Sequence, residues 1–219
     1  MTQFCDDRDL LCLEPNVFLN TGRPGQKLAA GSDGALSVTT FSSAGADFVS
    51  ACVAPGMVLV ISPGAVGQVL AEIVSVDSAT ALTVSAMRAD AEAPLIPPPS
   101  PAVPTDLAFH VLSFVAQIRA ISSSLAERLR QASEVAGVAP AQFADSAQLR
   151  QAVAHAVLGT VFVSRAEDAV PADANWAKAQ HYREEYRRLV LTLRLSVDAD
   201  GDGVAEQTRT LGHINLRRI

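Results

Sequence analysis

The chain has 219 residues, of which 49% are hydrophobic and 18% charged, and its formal net charge at pH 7 is −6. An apolar content this high supports a folded core and excludes a chain that is disordered throughout. The acidic balance argues against a general nucleic-acid-binding protein, which needs a basic face to displace counterions from phosphates.

The first predicted element is a short helix over residues 6–13. Asp6 or Asp7 can cap it, and the acidic side chains of its first turn oppose the positive end of the helix dipole. The helix is expected to end at Glu14, because the proline that follows disfavours helical geometry at the residue before it. Residues 20–35 contain four glycines and a proline, and they are predicted to form a loop.

The next part of the chain is predicted to be a β module of short strands. Asp47 can cap a single helical turn that ends near Cys52, and the Pro55-Gly56 pair is typical of a turn. The strand-like runs, which are rich in apolar and β-branched residues, are 36–41, 57–61, 68–76 and 80–87. Short strands repeated at intervals of about ten residues favour a small antiparallel barrel or sandwich.

A proline-rich segment and a short apolar run end the β module. Residues 94–104 read PLIPPPSPAVP, which cannot join the interior of a sheet and favours an extended conformation. This segment fits a stiff exposed loop or, alternatively, a ligand for a peptide-recognition domain. Residues 107–114 fit either a last strand or the first turns of the next helix, because periodicity does not separate the two for so short a run.

The following part is predicted to be helical. The first helix carries an apolar stripe that consists of Val115, Ile118, Ser122, Leu125 and Leu129. The second helix is expected to begin at a cap formed by Asp145 or Ser146. The third is expected over residues 175–195, after a cap at Asp173.

These elements together predict an α+β fold, with a small antiparallel β-barrel or sandwich module and a helical bundle of about three longer helices. A C-terminal arm is expected after the bundle. The predicted parts are the N-terminal helix and loop at 1–35, the β module at 36–114 with its proline-rich loop at 94–104, the helical bundle at 115–197, and the acidic turn with the C-terminal arm at 198–219.

The sharpest local motif is an acidic segment after the third helix. Its aspartates alternate with alanine and glycine, so that their carboxylates can converge on one hard cation. The pattern resembles the first half of an EF-hand-type calcium loop, although Arg209 stands where such a loop has a bidentate glutamate. The alternative is an acidic turn, so Ca²⁺ is a cofactor only under the first interpretation. The candidate metal ligands are Asp198, Asp200, Asp202 and Glu206.

The segment after the acidic motif combines basic with apolar side chains. They are Arg209, Leu211, Ile214, Leu216, Arg217, Arg218 and Ile219. A segment of this kind is not stable by itself. It fits a last strand docked on its own domain, an arm that binds a neighbouring subunit, or a disordered tail.

No set of residues in the sequence has the pattern of a catalytic site. The histidines are His110, His155, His181 and His213, and none of them forms a pair at metal-binding spacing. His155 is expected in a core or at an interface. The GxSxG, GxGxxG and Walker patterns are missing from the sequence, so we expect a protein that is not an enzyme. We also expect no membrane association, since no signal peptide or apolar run of transmembrane length is found.

Several stretches together resemble proteins of tailed bacteriophages. Residues 46–61 read ADFVSACVAPGMVLVI and residues 71–84 read AEIVSVDSATALTV, which resemble the β modules of virion proteins. Residues 7–18 read DRDLLCLEPNVF and residues 181–203 read HYREEYRRLVLTLRLSVDADGDG. These two stretches resemble head–tail connector proteins, also called head-completion or adaptor proteins, of which gene transfer agents carry relatives. The resemblance extends over most of the chain.

The resemblance implies a structural virion protein in the phage neck that is made in the host cytoplasm. Its copies would form a ring of about twelve subunits under cyclic symmetry, with the helices in the ring wall. The partners would be the portal protein and a tail-side adaptor or terminator protein, and DNA would pass through the channel without specific binding. Two alternatives remain, another structural protein of a phage tail or baseplate and a calcium-dependent binding module.

Overall fold

The structure is a computed structural model that describes residues 3–19, 26–62, 67–99, 101, 104–132, 146–167, 170, 173–197 and 207–210. The chain divides into two compact units, which are described separately below. Asp6–Phe114 form the β unit, and Val115–Ile219 together with Met1–Cys5 form the helical unit. The predicted α+β class is confirmed, because the described residues form a closed six-stranded antiparallel barrel and four α-helices.

The β unit is built around a closed barrel of six antiparallel strands. Their spatial order is β1-β2-β5-β4-β3-β6, and β6 closes the barrel by pairing with both β1 and β3. Closure leaves no unpaired strand edge in this barrel. The strands are β1 at Lys27–Ser37, β2 at Thr40–Ser43, β3 at Val58–Ser62, β4 at Val69–Ser78, β5 at Ala81–Ser85 and β6 at Leu107–Leu112.

The barrel core concentrates aromatic side chains in a chain that has few of them. The ring of Phe41 lies 4.9 Å from that of Phe109 and 6.4 Å from that of Phe48, measured between centroids. Aromatic pairs at these distances and tilted angles stabilise a core beyond the area that they bury. The strands predicted at 57–61, 68–76 and 80–87 are confirmed as β3, β4 and β5, with small shifts at their ends.

A short helix, α1 at Asp7–Leu13, belongs to the β unit and contacts β3. Its predicted cap is confirmed. Asp6 accepts a hydrogen bond from the Asp9 backbone N–H at 3.1 Å, and the Asp9 carboxylate accepts one from the Asp6 N–H at 3.0 Å. This reciprocal capping box satisfies two backbone donors that the first turn would otherwise leave unpaired.

The loop predicted at residues 20–35 is wrong from Lys27 onwards, because β1 begins there, and residues 20–25 lie outside the described residues. Two of the glycines that suggested a loop, Gly31 and Gly34, lie inside the strand, where close neighbours require them. A Cβ on Gly31 would lie 2.7 Å from a ring carbon of Phe109, and the pairing with β6 shifts register between Gly31 and Gly34. Glycine inside a strand marks such a bulge and a close approach of neighbours.

We expect Gly34→Ala to destabilise the barrel by about 1–3 kcal/mol, as overpacking of a filled core does. A Cβ on Gly34 would lie 2.7 Å from Cζ of Phe41 and 2.8 Å from the backbone oxygen of Leu107. Chemical denaturation of the full-length protein measures the loss. Gly67→Ala is the matched control, because a Cβ there meets no atom within 4 Å. Equal effects of the two substitutions would contradict the role of close packing at Gly34.

The single strand predicted at residues 36–41 is wrong, because a hairpin divides it. β1 ends at Ser37 and β2 begins at Thr40. In one continuous strand, Leu36 and Phe41 would face opposite sides of the sheet, since successive side chains alternate. As cross-strand partners in the hairpin, they both enter the barrel core. The turn places Val38 at φ +53, a backbone conformation that β-branched residues rarely adopt.

The two interpretations of residues 107–114 resolve in favour of a strand, because β6 pairs with neighbours on both sides. The proline-rich segment before it is hydrogen-bonded to the barrel at Ile96 and at Pro104, whose carbonyl accepts a hydrogen bond from the Leu36 N–H at 2.9 Å. The Ile96 carbonyl accepts hydrogen bonds from the Ala86 N–H at 2.7 Å and from the Ser85 hydroxyl at 3.1 Å. Most of the described residues of this segment are exposed, in agreement with the predicted loop.

The helical unit contains the three longer helices that were predicted. They are α2 at Val115–Ala132, α3 at Ser146–Arg165 and α4 at Ala174–Thr192. α3 packs against both α2 and α4 and therefore lies between them. The cap of α4 is confirmed, since Asp173 accepts from the Trp176 N–H at 2.9 Å. The stripe of α2 is confirmed at Ile118, Ser122, Leu125 and Leu129, all of which are buried.

The third helix ends earlier than predicted, because the chain turns into a strand. α4 stops at Thr192, and β7 at Arg194–Val197 pairs with β8 at Gln207–Thr210 in an antiparallel hairpin. The N-terminal residues 3–5 belong to the same unit, and the Phe4 N–H donates to the buried Ser122 hydroxyl at 3.3 Å.

Candidate functional site

The predicted calcium ligands Asp198, Asp200, Asp202 and Glu206 lie outside the described residues. Within the part of the chain that the structure describes, no group of three His, Cys, Asp or Glu side chains is placed to hold a metal ion. Of the predicted arm, Arg209 lies in β8, where its backbone is paired with that of Leu195. The remaining arm residues, Leu211, Ile214, Leu216, Arg217, Arg218 and Ile219, lie outside the described residues.

The histidines within the described ranges lie in two places, His155 and His181 in the helical unit and His110 in the β unit. In α3, His155 is buried, and its Nδ1 lies 2.8 Å from the carbonyl oxygen of Gln151, as expected for a core histidine. The rings of His155 and His181 lie 5.8 Å and 5.3 Å from that of Tyr182. In the β unit, the pKa of His110 is lowered, because burial disfavours the charged imidazolium.

The β unit holds a buried cluster of charged side chains that the sequence does not reveal. Glu72 on β4 forms ion pairs with Arg8 of α1 and with Arg88, which follows β5. Nε of Arg8 lies 2.5 Å from Oε2 of Glu72 without hydrogen-bond alignment. Arg88 also donates to the carbonyls of Ala91 and Ala93 at 2.7 Å and 2.9 Å. The cluster therefore fastens α1 and the segment after β5 to the barrel.

A second buried carboxylate, that of Asp7, accepts the Phe114 N–H at 2.7 Å. Burial raises the pKa of Asp7 to about 7, because desolvation disfavours the carboxylate more than the hydrogen bonds from Ser113 and Phe114 favour it. Neither Asp7 nor Glu72 is accessible to a ligand, since 2% and 1% of their surfaces are exposed. Both are therefore structural groups of the β unit.

The helical unit carries an open groove that is lined by arginine side chains. Its volume is about 390 Å³. α3 forms the floor, and α2 and α4 form the two walls. The lining residues are Ile121, Ser124 and Arg128 of α2, Ala156 and Thr160 of α3, and Arg183, Tyr186 and Arg187 of α4. We refer to this set as the basic groove.

The basic groove follows from helical spacing within each element. Ser124 and Arg128 are four residues apart, as are Ala156 and Thr160, so each pair lies on one face of its helix. In α4, Arg183 is followed by a tyrosine and an arginine at i+3 and i+4. The small side chains of α3 leave the space between the walls unfilled.

Arg183 has close neighbours at its aliphatic stem and at its guanidinium group. Its Cγ lies only 3.2 Å from the position that a Cβ on Gly159 would occupy, so the glycine allows the aliphatic stem to lie against α3. Its guanidinium carbon lies 6.0 Å from the ring centroid of Trp176, within cation–π range. The run YREEYRR at residues 182–188 contains the arginines of this wall, but helical spacing alone does not show that a second wall faces them.

Charge is distributed unevenly between the two units. Residues 6–114 contain eleven acidic and four basic side chains, whereas residues 1–5 and 115–219 together contain twelve acidic and thirteen basic ones. The acidic balance of the whole chain therefore comes mainly from the β unit. The helical unit can present a local basic surface within an acidic protein.

No protein-family model, curated protein or solved structure matches this chain. None of the helices within the described ranges combines the length and the hydropathy that a membrane span requires.

Proposed function

We propose that this protein is a structural subunit of a tailed-phage virion, a connector that forms a ring between the portal and the tail. The sequence resemblance to head–tail connector proteins suggests this role. The structural observation that supports it best is the weak burial of α4. Of its residues, only Ala179 and Tyr182 are buried within the chain.

The apolar side chains of α4 leave a surface suited to another copy of the chain. Leu191 is 65% exposed, and Leu189 and Val190 are only half-buried. A helix in a protein gains most of its stability from packing, so a helix with little burial favours a partner on its open side. In a ring, that partner is the neighbouring subunit, and cyclic symmetry with about twelve copies repeats the same contact.

The proposed ring has the portal protein on one side and a tail-side adaptor or terminator on the other. DNA passes through its channel without sequence-specific contacts. The protein acts by assembly and is not an enzyme. Its place is the neck of the virion.

Electron microscopy of the purified protein and of virions tests the proposal. We expect rings, and we expect Leu191→Glu to abolish them while the subunit stays folded, because an exposed position tolerates a charge. Val38→Glu in the β unit is the control, since this apolar side chain is 69% exposed and lies outside α4. We expect it to leave the rings intact.

Two results would overturn the proposal. One is a monomer at every concentration that is also missing from particles. The other is a label on the chain that maps to the tail tip or baseplate, which would favour the alternative structural role in the tail.

A further inference from the structure

We propose that the basic groove binds phosphate groups, with Arg128, Arg183 and Arg187 as the principal ligands. The inference rests on the geometry of the helical unit and does not depend on ring formation. Guanidinium groups present planar forks of N–H donors that match phosphate oxygens, and such charge-assisted hydrogen bonds are roughly twice as strong as neutral ones.

The other lining residues supply what a phosphate site needs. Ser124 and Tyr186 carry hydroxyl groups that can donate to further oxygens, whereas the Thr160 hydroxyl donates to the Ala156 carbonyl at 3.0 Å. None of the eight lining residues is acidic. The groove therefore combines three permanent positive charges with neutral donors, which selects for an anion with several oxygens.

The arginines of the groove differ from Arg8, Arg88 and Arg188, each of which has a carboxylate partner. Arg8 and Arg88 share the buried Glu72, and Arg188 binds Glu185 with an Nη2–Oε2 distance of 2.5 Å. Within the described ranges, no carboxylate lies within ion-pair distance of Arg128, Arg183 or Arg187. Their charge is available to a ligand.

The groove is accessible to a large ligand as well as a small one. Arg128, Arg187 and Ser124 are exposed, so a polymer backbone can reach the same donors. Two sources therefore share the chemistry, a free phosphate compound and the backbone of a nucleic acid. Backbone contacts carry no sequence information, which is compatible with DNA that moves past the protein.

Titration calorimetry of the full-length protein with inorganic pyrophosphate at low salt tests the site. We expect binding, and we expect Arg187→Gln to weaken it about tenfold or more, as the loss of a charge-assisted contact does. Arg128→Gln gives a second test from the opposite wall. Arg188→Gln is the matched control: it removes the same charge from the adjacent position on α4, at a residue outside the groove. Its expected effect is less than about twofold, since Arg188 is paired with Glu185 and does not line the groove.

Fluorescence anisotropy with a short DNA duplex distinguishes the two sources. If the nucleic-acid backbone is the ligand, Arg187→Gln weakens DNA binding and reduces the slope of log K against log salt by about one. Binding of pyrophosphate without DNA assigns the groove to a free phosphate compound.

Three outcomes would overturn the inference. They are no binding of either probe, an equal effect of Arg188→Gln and Arg187→Gln, and displacement of pyrophosphate by an equal concentration of succinate. The last result would identify a site for carboxylates.

Discussion

Replacement of Glu72 by alanine is expected to lower the free energy of unfolding of the β unit by about 3–5 kcal/mol. This is the usual cost of removing one partner of a buried ion pair. The substitution leaves the guanidinium groups of Arg8 and Arg88 without their common carboxylate in a site where 13% and 8% of these side chains are exposed. It also releases the two ends of the cluster, α1 and the segment after β5, from β4.

Hydrogen exchange of the barrel amides measures this loss for the β unit by itself. The only tryptophan of the chain is Trp176 in α4, so its fluorescence reports on the helical unit and provides an internal reference. Glu92→Ala is the matched control, because it removes an exposed glutamate from the same unit, and such surface changes usually stay within about 0.5 kcal/mol. Similar exchange rates in the two variants would show that the cluster does not stabilise the barrel.

Replacement of Asp7 by asparagine is expected to stabilise the β unit at pH 8 and to have little effect near pH 4. The pKa of Asp7 is raised from 3.8 to about 7 on folding, so the folded state binds the proton more tightly than the unfolded state does. The contribution of Asp7 to the free energy of unfolding is therefore most favourable below pH 3.8, and it is lost as the pH rises towards 7. At about 1.4 kcal/mol for each pH unit, the loss is on the order of 4 kcal/mol.

The measurement is the difference in unfolding free energy between Asp7→Asn and the wild-type protein as a function of pH. Asparagine stays neutral and can still accept the Phe114 N–H, so the difference should grow between pH 4 and pH 7 and then level off. Asp33→Asn is a control for which the difference in unfolding free energy should change with pH in the opposite direction. The pKa of Asp33 is lowered by hydrogen bonds from Ser43 and Gly45, so the wild-type carboxylate gains stability as pH rises. A difference for Asp7→Asn that does not change with pH would contradict the prediction.

Local signals in the sequence were sufficient to predict most of the helices and several of the strands. Asp6 and Asp173 are found at the caps that were predicted, because a cap depends only on the next three residues. The apolar stripe of α2 is found buried, since the helical period is a local property. The runs that became β3, β4 and β5 are apolar and rich in β-branched residues, which is again a local preference.

The strand over Lys27–Ser37 was missed because its glycines are explained only by distant residues. Gly34 is required by Phe41 and by the backbone of Leu107, which is 73 positions away in the chain. The hairpin at Val38 was missed for a related reason. Register is set by pairing between strands, and a local pattern of alternation cannot show where a chain turns back.

The amino-acid sequence by itself determined the α+β class, the caps and the helical faces, because propensity and periodicity act over a few neighbouring residues. Only the tertiary structure decided which charges meet. Arg8, Glu72 and Arg88 share one buried site although no spacing links them, because β4 pairs with β5 and α1 packs against β3. In the same way, the basic groove exists because α3 holds α2 and α4 apart, so that arginines from two helices face one cleft.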